Sequence, residues 1–410
     1  MPHGSGIIAT IEKRRWTAPS GETKEAWRAR FIDQNGIRRS KQFAKKKDAD
    51  NWLVATRNQV REGTYTPESS SKTIKEAADA WIERAKAEGL ERSTIEAYER
   101  ERDHALALLD PDTTLARITT ARCEQLRVDL LKAHSRAMAR KVLKTFKSIM
   151  KDAKRRGMVA QNVAADTTIG TAKRHKRRLE VGTDIPTHGE IKALVGAATD
   201  KALALVCLAA FAGLRASEIR GLRWSDVDLG PKPAVTISQR ADRWAKIGSP
   251  KSEAARRMVP LGEPAAQALR AWKLSQPPIT YREDGEKEQR PATLVFGTGM
   301  DRPDTLPNIR ARLLAPAMIK AGVALPTLDD AGKPVKDKDG KPVMRPKYGG
   351  LHCLRHYAIS SWLAAGFDHK QCQSWAGHTT LVLTLDTYGH LLPHRDGHEL
   401  MRALERDLFG

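Results

Sequence analysis

Arg215 follows an apolar run and a Gly-Leu bend in "FAGLRASEIRGLRW". Lys251 sits in a polar turn, "GSPKSE", ahead of the strand-like "RRMVPL". His352 and Arg355 stand three apart in "LHCLRHYAISSWLAAG", a spacing that puts both on one helix face. His378, in "WAGHTT", precedes Tyr388 of "TLDTYGHLLP" by ten residues. Alone, each reads as ordinary: a surface arginine, a solvated lysine, a capping histidine, a half-buried tyrosine. Together they are two guanidiniums, two imidazoles, an ammonium and a phenol, with no cluster of acids. That set suits a phosphodiester. Guanidinium forks bind two non-bridging oxygens at once. A phenol with an ordinary pKa near 10 becomes a nucleophile when neighbouring cations favour its phenolate. Its phosphate ester conserves bond energy for a second transfer.

A metal centre is the competing reading. His352, Cys353, His356, Cys372 and His378 fall in one region. Adjacent His-Cys side chains leave a helix on different sides, and no CxxC pair exists, so structural zinc ranks below phosphoryl transfer. The "DKDG" at Asp337 lacks the remaining ligands of a calcium loop.

The elements that must position these residues follow from pattern. The apolar run Ala202–Leu214 is too short to span a bilayer. Thr187-x-x-Glu190 is a capping box that opens the last domain, whose helices mix with short strands such as "AVTIS". The stretch from Asp329 to Tyr348 holds "GKPV" twice and reads as an exposed hairpin or loop insert. Before this domain lies a basic linker, "TAKRHKRRLE", with Lys173, Arg174, Lys176, Arg177 and Arg178.

Upstream, Thr73-x-x-Glu76 and Ser93-x-x-Glu96 read as capping boxes of a helical region. Its most informative helix runs from Ser135 to Gly157. Met138, Val142, Phe146, Ile149, Met150 and Ala153 form the apolar side. Arg140, Lys144, Lys147, Lys151 and Lys154 fall in a stripe opposite, at about 100° per residue, with no interleaved acid. A phosphate backbone relieves such a stripe.

The N-terminal segment, up to the polar linker "TPESSSKT", carries 14 Lys/Arg against 7 Asp/Glu. "AWRARFID" alternates, with Trp27, Ala29 and Phe31 on one face. Asn35-Gly36 marks a hairpin, "IRRSKQF" is its partner strand, and "KKKDADNWLVATRNQV" is a helix. Arg28, Arg30, Arg38 and Lys41 are expected to line a sheet face suited to a DNA groove; a merely solvated basic sheet is the plain alternative.

The whole chain has a formal net charge of +22. Self-repulsion of that size is tolerated beside a polyanion. Aromatics make up only 5% of residues, which argues against an interfacial membrane helix and for nucleic acid. The four scattered cysteines predict a reducing cytosol and no disulfide framework. Met1 opens on Pro-His-Gly, which predicts no secretory leader.

From roughly Thr183 to Pro393, the order arginine, lysine, His-x-x-Arg, Gly-His, tyrosine resembles the catalytic domain of tyrosine recombinases, the phage integrase family. Ala376 stands where leucine commonly precedes Gly-His, and the 329–348 insert is a second departure. The resemblance implies a mainly α fold with small antiparallel sheets (α+β). Its expected domains are an arm-type DNA-binding domain (1–66), a helical core-binding domain (72–170), a basic linker (171–182) and a catalytic domain (183–410). It implies that Arg215 and Arg355 clamp the scissile phosphate, Lys251 protonates the leaving 5′ oxygen, and His352 assists proton transfer with the tyrosine. His378 bonds the phosphoryl oxygens, Glu218 supports the site, and Tyr388 forms a 3′-phosphotyrosine without metal or ATP.

The expected partners are double-stranded DNA attachment sites, a homotetramer on synapsed DNA, and an excisionase or DNA-bending accessory protein, in the bacterial cytosol with no membrane. Leu400, Leu404 and Leu408, with Met401, predict a short amphipathic tail helix that the resemblance docks on a neighbouring protomer. A type IB topoisomerase and a DNA-binding regulator without catalysis are the alternatives.

Overall fold

A computed structural model gives the fold. It describes residues 9–19, 21–62, 65, 67, 71–170, 177–250, 255–283, 286–392 and, in the tail, 398, 401, 402, 405 and 406; for 281–283 and 286–288 the backbone alone is described. Lys173, Arg174, Lys176 and Lys251 lie outside the described residues, as do Leu400, Leu404 and Leu408. The chain splits into two compact units, divided between Arg174 and His175. The class is the expected one, mainly α with small antiparallel sheets.

The first unit opens with strands β1 (Thr10–Thr17), β2 (Thr23–Ile32) and β3 (Arg38–Phe43), in the order β1-β2-β3, followed by helix α1 (Lys46–Arg61). The β2–β3 turn closes as expected: Asp33 Oδ1 accepts from the N–H of Asn35 and Ile37, each at 2.9 Å, and Gly36 takes φ 78°. Ala29 and Phe31 bury against Ala49 and Leu53 of α1. Arg28 pairs with Gln42, Arg30 with Ser40 and Ile32 with Arg38, so the three arginines share the opposite face. Lys41 does not join them. It pairs with Ala29, which puts it on the helix-covered side, its Nζ 5.6 Å from the Trp52 ring. The expectation for Lys41 fails because strand alternation places it one residue out of phase with the arginines.

Helices α2 (Ile74–Ala87), α3 (Arg92–Leu109), α4 (Thr120–Ala133) and α5 (Arg136–Arg155) share a second core around Ile74, Leu126, Phe146 and Ile149. The Thr73/Glu76 capping box forms in both directions, at 2.8 and 3.1 Å. The Ser93/Glu96 box does not. Helix α3 starts at Arg92 with Glu91 as its cap residue, so Ser93 lies inside the first turn, and Glu96 accepts from Arg92 Nε instead. On α5 the apolar side is buried as expected. Arg140, Lys144, Lys151 and Lys154 are exposed, while Lys147 is half-buried with its Nζ on the Thr167 carbonyl. Asp152 points inward and takes Arg84, Arg155 and Arg156. Among the described residues it leaves those four stripe cations without an ion pair.

The second unit begins with α6 (His188–Ala197), capped by the Thr187/Glu190 box, and α7 (Asp200–Ala210). Ala204 to Ala210 are all buried, so the long apolar run is a core helix; among the described residues no helix is long and apolar enough to cross a membrane. Then come α8 (Ala216–Gly221), β4 (Val227–Asp228), β5 (Ala234–Ile237), hairpin β6 (Arg240–Ala241) and β7 (Ile247–Gly248), β8 (Arg257–Pro260) and α9 (Glu263–Ser275). Strands β4, β5 and β8 form an antiparallel sheet in that order.

A pair, β9 (Ile279–Glu283) and β10 (Glu286–Arg290), leads to α10 (Leu306–Ile309), a π turn over Arg310–Leu314 and α11 (Ala315–Lys320). Strands β11 (Ala324–Pro326) and β12 (Met344–Pro346) frame the insert, an exposed ribbon. In its two turns Asp329 and Asp337 spend one carboxylate oxygen each on backbone N–H groups. Three helices finish the unit: α12 (Leu351–Ala364), α13 (His369–Ala376) and α14 (Leu381–Tyr388).

Candidate active site

The site is built around the C-terminal end of α13. A helix end leaves carbonyls without intrahelical partners, and its dipole favours cations there. Here three consecutive carbonyls each take an arginine. Trp375 O accepts from Arg257 Nε at 2.5 Å, Ala376 O from Arg355 Nη2 at 2.6 Å, and Gly377 O from Arg215 Nη2 at 2.6 Å. Gly377 is required twice over. Its φ is +63°, and a Cβ there would stand 2.9 Å from Arg257 Nη1 and 3.1 Å from Arg215 Nη1. The motif glycine thus lets the chain turn and lets two guanidiniums approach.

Arg215 caps α8. Its backbone N–H donates to Glu218 Oε2 and its Nη1 to Glu218 Oε1, both at 2.8 Å. Glu218, 3% exposed, also accepts from Arg257 Nη1 at 3.0 Å and Nη2 at 2.9 Å. Burial pushes this carboxyl upward, but the Arg257 hydrogen bond and the charges of Arg257 and Arg215 hold it below the usual range. Glu218→Gln leaves the buried Arg257 without a counter-charge. We expect about 3–5 kcal/mol of destabilisation in urea unfolding; a loss under about 1 kcal/mol would show that the carbonyls of Trp375, which takes Arg257 Nε, and of Ala255, which takes Arg257 Nη1 at 2.9 Å, suffice.

Arg355 is 2% exposed. It donates to the carbonyls of Gly213 and Ala376, and its Nη2 lies 3.2 Å from His378 Nε2. Gly213 permits this through φ +61°; a Cβ there would meet Trp362 at 2.8 Å. Burial first, then the Arg215 charge, lowers Arg355 to about 10, so it remains a cation at neutral pH. A guanidinium has no acceptor, so His378 Nε2 accepts from it. The ring's Nδ1–H then donates to Thr384 Oγ1 at 2.9 Å.

Tyr388 ends α14 with 2% of its surface exposed. Burial raises its phenol to about 12, and Arg355 offsets this only in part. Of the two, desolvation is the larger effect. The resemblance assigns proton transfer with the tyrosine to His352. The phenol's hydrogen bond instead goes to His356, Nδ1 to Oη at 2.7 Å. His352 lies one helical turn earlier, exposed, with its ring 4.3 Å from that of His356. Cys353 and Cys372 put their Sγ atoms on the carbonyls of Gly350 and Phe367. Burial pushes these thiols up to about 12 and about 11.

The structure thus brings Arg215, Arg355, His378, Tyr388 and Glu218 together, with His352 beside them. It adds Arg257 and His356. The signal for Arg257 is alternation in β8, where Arg257 and Val259 are buried and Met258 is exposed. The signal for His356 is its i+4 spacing from His352.

A pH effect on stability follows. Burial lowers His356 to about 4, helped by His352 and Arg355 against Asp184; burial with Arg355, Arg215, Arg257 and His356 does the same to His378. Both folded values lie below the ordinary 6.5, so the unfolded chain binds these protons more readily. Their contribution is whole above the unfolded value and is lost as pH falls toward 4, at most about 3 kcal/mol for each ring. Urea midpoints should drop across that window. The His356→Asn, His378→Asn double variant should flatten the drop, and an equally steep profile would refute the assignment.

The sequence profile described as the phage integrase family matches residues 186–395, a little over half of the chain, and that stretch holds all six motif residues. The chain belongs to the phage integrase family. The tyrosine recombinase XerC of Mycobacterium sp. (strain KMS) is 29% identical over 180 residues, covering 44% of this chain and 45% of that protein. A putative prophage phiRv2 integrase of Mycobacterium tuberculosis (strain ATCC 25618 / H37Rv) is 25% identical over 244 residues, 56% of this chain and 61% of the relative. The chain thus spans about half the length of the curated relatives it matches. In fold it is similar to the Tn1549 transposon integrase (residues 82–397) solved with a circular intermediate DNA, with a TM-score of 0.58 at 17% identity, over 82% of this chain and 99% of that one.

Proposed function

We propose that this integrase-family chain is a site-specific DNA recombinase, the integrase of a phage or mobile element, that cuts and rejoins DNA through a 3′-phosphotyrosine. The observation that carries the reading is the α13 terminus, where two motif arginines and the motif histidine converge beside a phenol. Arg215 and Arg355, held by carbonyls, offer their remaining N–H groups to two non-bridging oxygens of the scissile phosphate. His378 joins them when its Nε2 exchanges Arg355 for a phosphoryl oxygen. His352 stays exposed at the rim, its ring against that of His356. Lys251 protonates the leaving 5′ oxygen. Glu218 and Arg257 orient Arg215.

The domains follow the same reading: residues 1–66 bind arm-type sites, 72–170 and 183–410 bind and cut the core site, and 171–182 joins them. Arg28, Arg30, Arg38 and the α5 cations Arg140, Lys144, Lys151 and Lys154 contact phosphates, with Lys173, Arg174, Lys176, Arg177 and Arg178 added by the linker. The assembly is a homotetramer on two synapsed attachment sites in the bacterial cytosol, aided by an excisionase or DNA-bending protein.

The test uses nicked duplexes tiled across the DNA that flanks the gene, where an attachment site should lie. The expected product is a denaturant-resistant protein–DNA adduct, formed equally in EDTA. DNA retardation without adduct would mark a binding regulator. Plasmid relaxation without strand exchange would mark a topoisomerase. A further expectation concerns residues 1–66. Their removal should leave core cleavage intact and reduce integration, because the polar linker lets the sheet bind separately. Loss of core cleavage would place the boundary elsewhere.

A further inference from the structure

We propose that His356, not His352, takes the phenolic proton of Tyr388 as the oxygen attacks phosphorus, and returns it when the ester is resolved. The proposal rests on reading the pocket as a phosphotyrosine-forming site. Four observations carry it. The phenol oxygen is 2.7 Å from His356 Nδ1, within direct transfer distance. Tyr388 is 2% exposed, so its phenol is largely shielded from bulk water. Glu218, the buried acid of this site, has both oxygens engaged by Arg215 and Arg257. His352 is exposed and makes no hydrogen bond to the phenol among the described residues.

The direction of the bond follows from acidity. A phenol O–H is a stronger acid than the N–H of a neutral imidazole, so the short bond is O–H to Nδ1. Nδ1 is free to accept because burial, with His352 and Arg355, holds the ring neutral against the pull of Asp184. The bound phosphate changes this balance. Its negative charge offsets the arginines that keep His356 a weak base, so the ring gains basicity when the substrate arrives. The step is balanced. The Oη–H bond breaks and its proton moves to Nδ1. An oxygen lone pair forms the new P–O bond. The bond from phosphorus to the 5′ oxygen breaks, and that oxygen takes its electron pair and a proton from Lys251. In resolution a 5′ hydroxyl gives its proton to Lys251 and attacks, and the phenolate leaves with the proton from His356.

Asparagine separates this role from mere positioning. Its Oδ1 sits where Nδ1 sits and accepts the same hydrogen bond, but it cannot carry a proton. A 5′-bridging phosphorothiolate substrate separates it from acid catalysis, because a thiolate leaves without protonation. Single-turnover adduct formation is measured on both nicked substrates with the full chain and with His356→Asn, His356→Ala, His352→Asn and Lys251→Ala. Gel retardation reports folding and binding. We expect His356→Asn to be slowed about 10²-fold on the oxygen and sulfur substrates alike, with retardation unchanged, whereas sulfur restores Lys251→Ala. A His356→Asn variant at the wild-type rate would overturn the proposal, and with a slow His356→Ala it would reduce His356 to a positioning residue. A deficit in His352→Asn that sulfur does not restore, with His356→Asn unaffected, would return the role to His352. No adduct with the wild-type protein would overturn the phosphotyrosine reading itself and this proposal with it.

Discussion

Tyr388→Phe is expected to remove covalent DNA linkage altogether while leaving DNA retardation near the wild-type level. The phenol oxygen is the proposed attacking atom, and no second tyrosine lies against the arginine pair among the described residues. The Tyr357 hydroxyl is hydrogen-bonded with His188 Nδ1, and Tyr348 donates its own to Glu190. Phenylalanine keeps the ring that packs against the cluster of Ala358, Ile359 and Leu363. What it loses is one hydrogen bond, and His356 Nδ1 becomes a half-buried acceptor without a partner, a cost of about 1–3 kcal/mol. The variant should therefore fold, bind and fail to react. An adduct resistant to denaturant, formed by Tyr388→Phe at the wild-type rate, would mean that another group is the nucleophile.

Motif order alone points to the candidate site, because Arg215, His-x-x-Arg, Gly-His and Tyr388 are side chains whose types suit a phosphodiester. Local rules also transfer well. Two of three capping boxes form as read, since a box depends on four consecutive residues. The third fails because α3 starts at Arg92 with Glu91 as its cap residue, which puts Ser93 inside the first turn. The open face of α5 follows from periodicity.

What sequence conceals is anything made by backbone from a distance. The carbonyls of Trp375, Ala376 and Gly377 have no letter of their own, yet they hold three arginines that are 21 to 162 residues away. Strand β1 is nearly all polar, with one half-buried apolar side chain, Ile11, and so gives no alternation to read. Lys41 fails for the opposite reason: its type suggests DNA, and only the register with Ala29 shows which face it occupies. His356 is present in the sequence beside Arg355, but a single helix cannot say which of two histidines meets a residue on another.

Arg355→Ala and Arg215→Ala should separate catalysis from architecture. On the proposed reading each removes one preorganised donor to the phosphate, so each should slow cleavage by about 10²-fold or more, roughly 3–4 kcal/mol of transition-state stabilisation. Their effects on folding should differ. Arg355 is buried and satisfies the carbonyls of Gly213 and Ala376 while orienting His378, so alanine leaves two buried acceptors bare and frees the imidazole. Each bare carbonyl costs about 1–3 kcal/mol, and the unfolding midpoint should fall accordingly. Arg215 is half-buried and its loss bares one carbonyl, that of Gly377, while Glu218 keeps its two hydrogen bonds to Arg257, so that variant should lose less stability than Arg355→Ala. Arg355→Lys sharpens the test. Lysine restores the charge but not the fork that reaches two carbonyls and His378 together, so it should recover stability in part and cleavage hardly at all. If lysine restores cleavage, the site needs only a positive charge at this position. If alanine at 355 leaves the midpoint unchanged, the three-carbonyl seat at the end of α13 is not what holds the pocket in place.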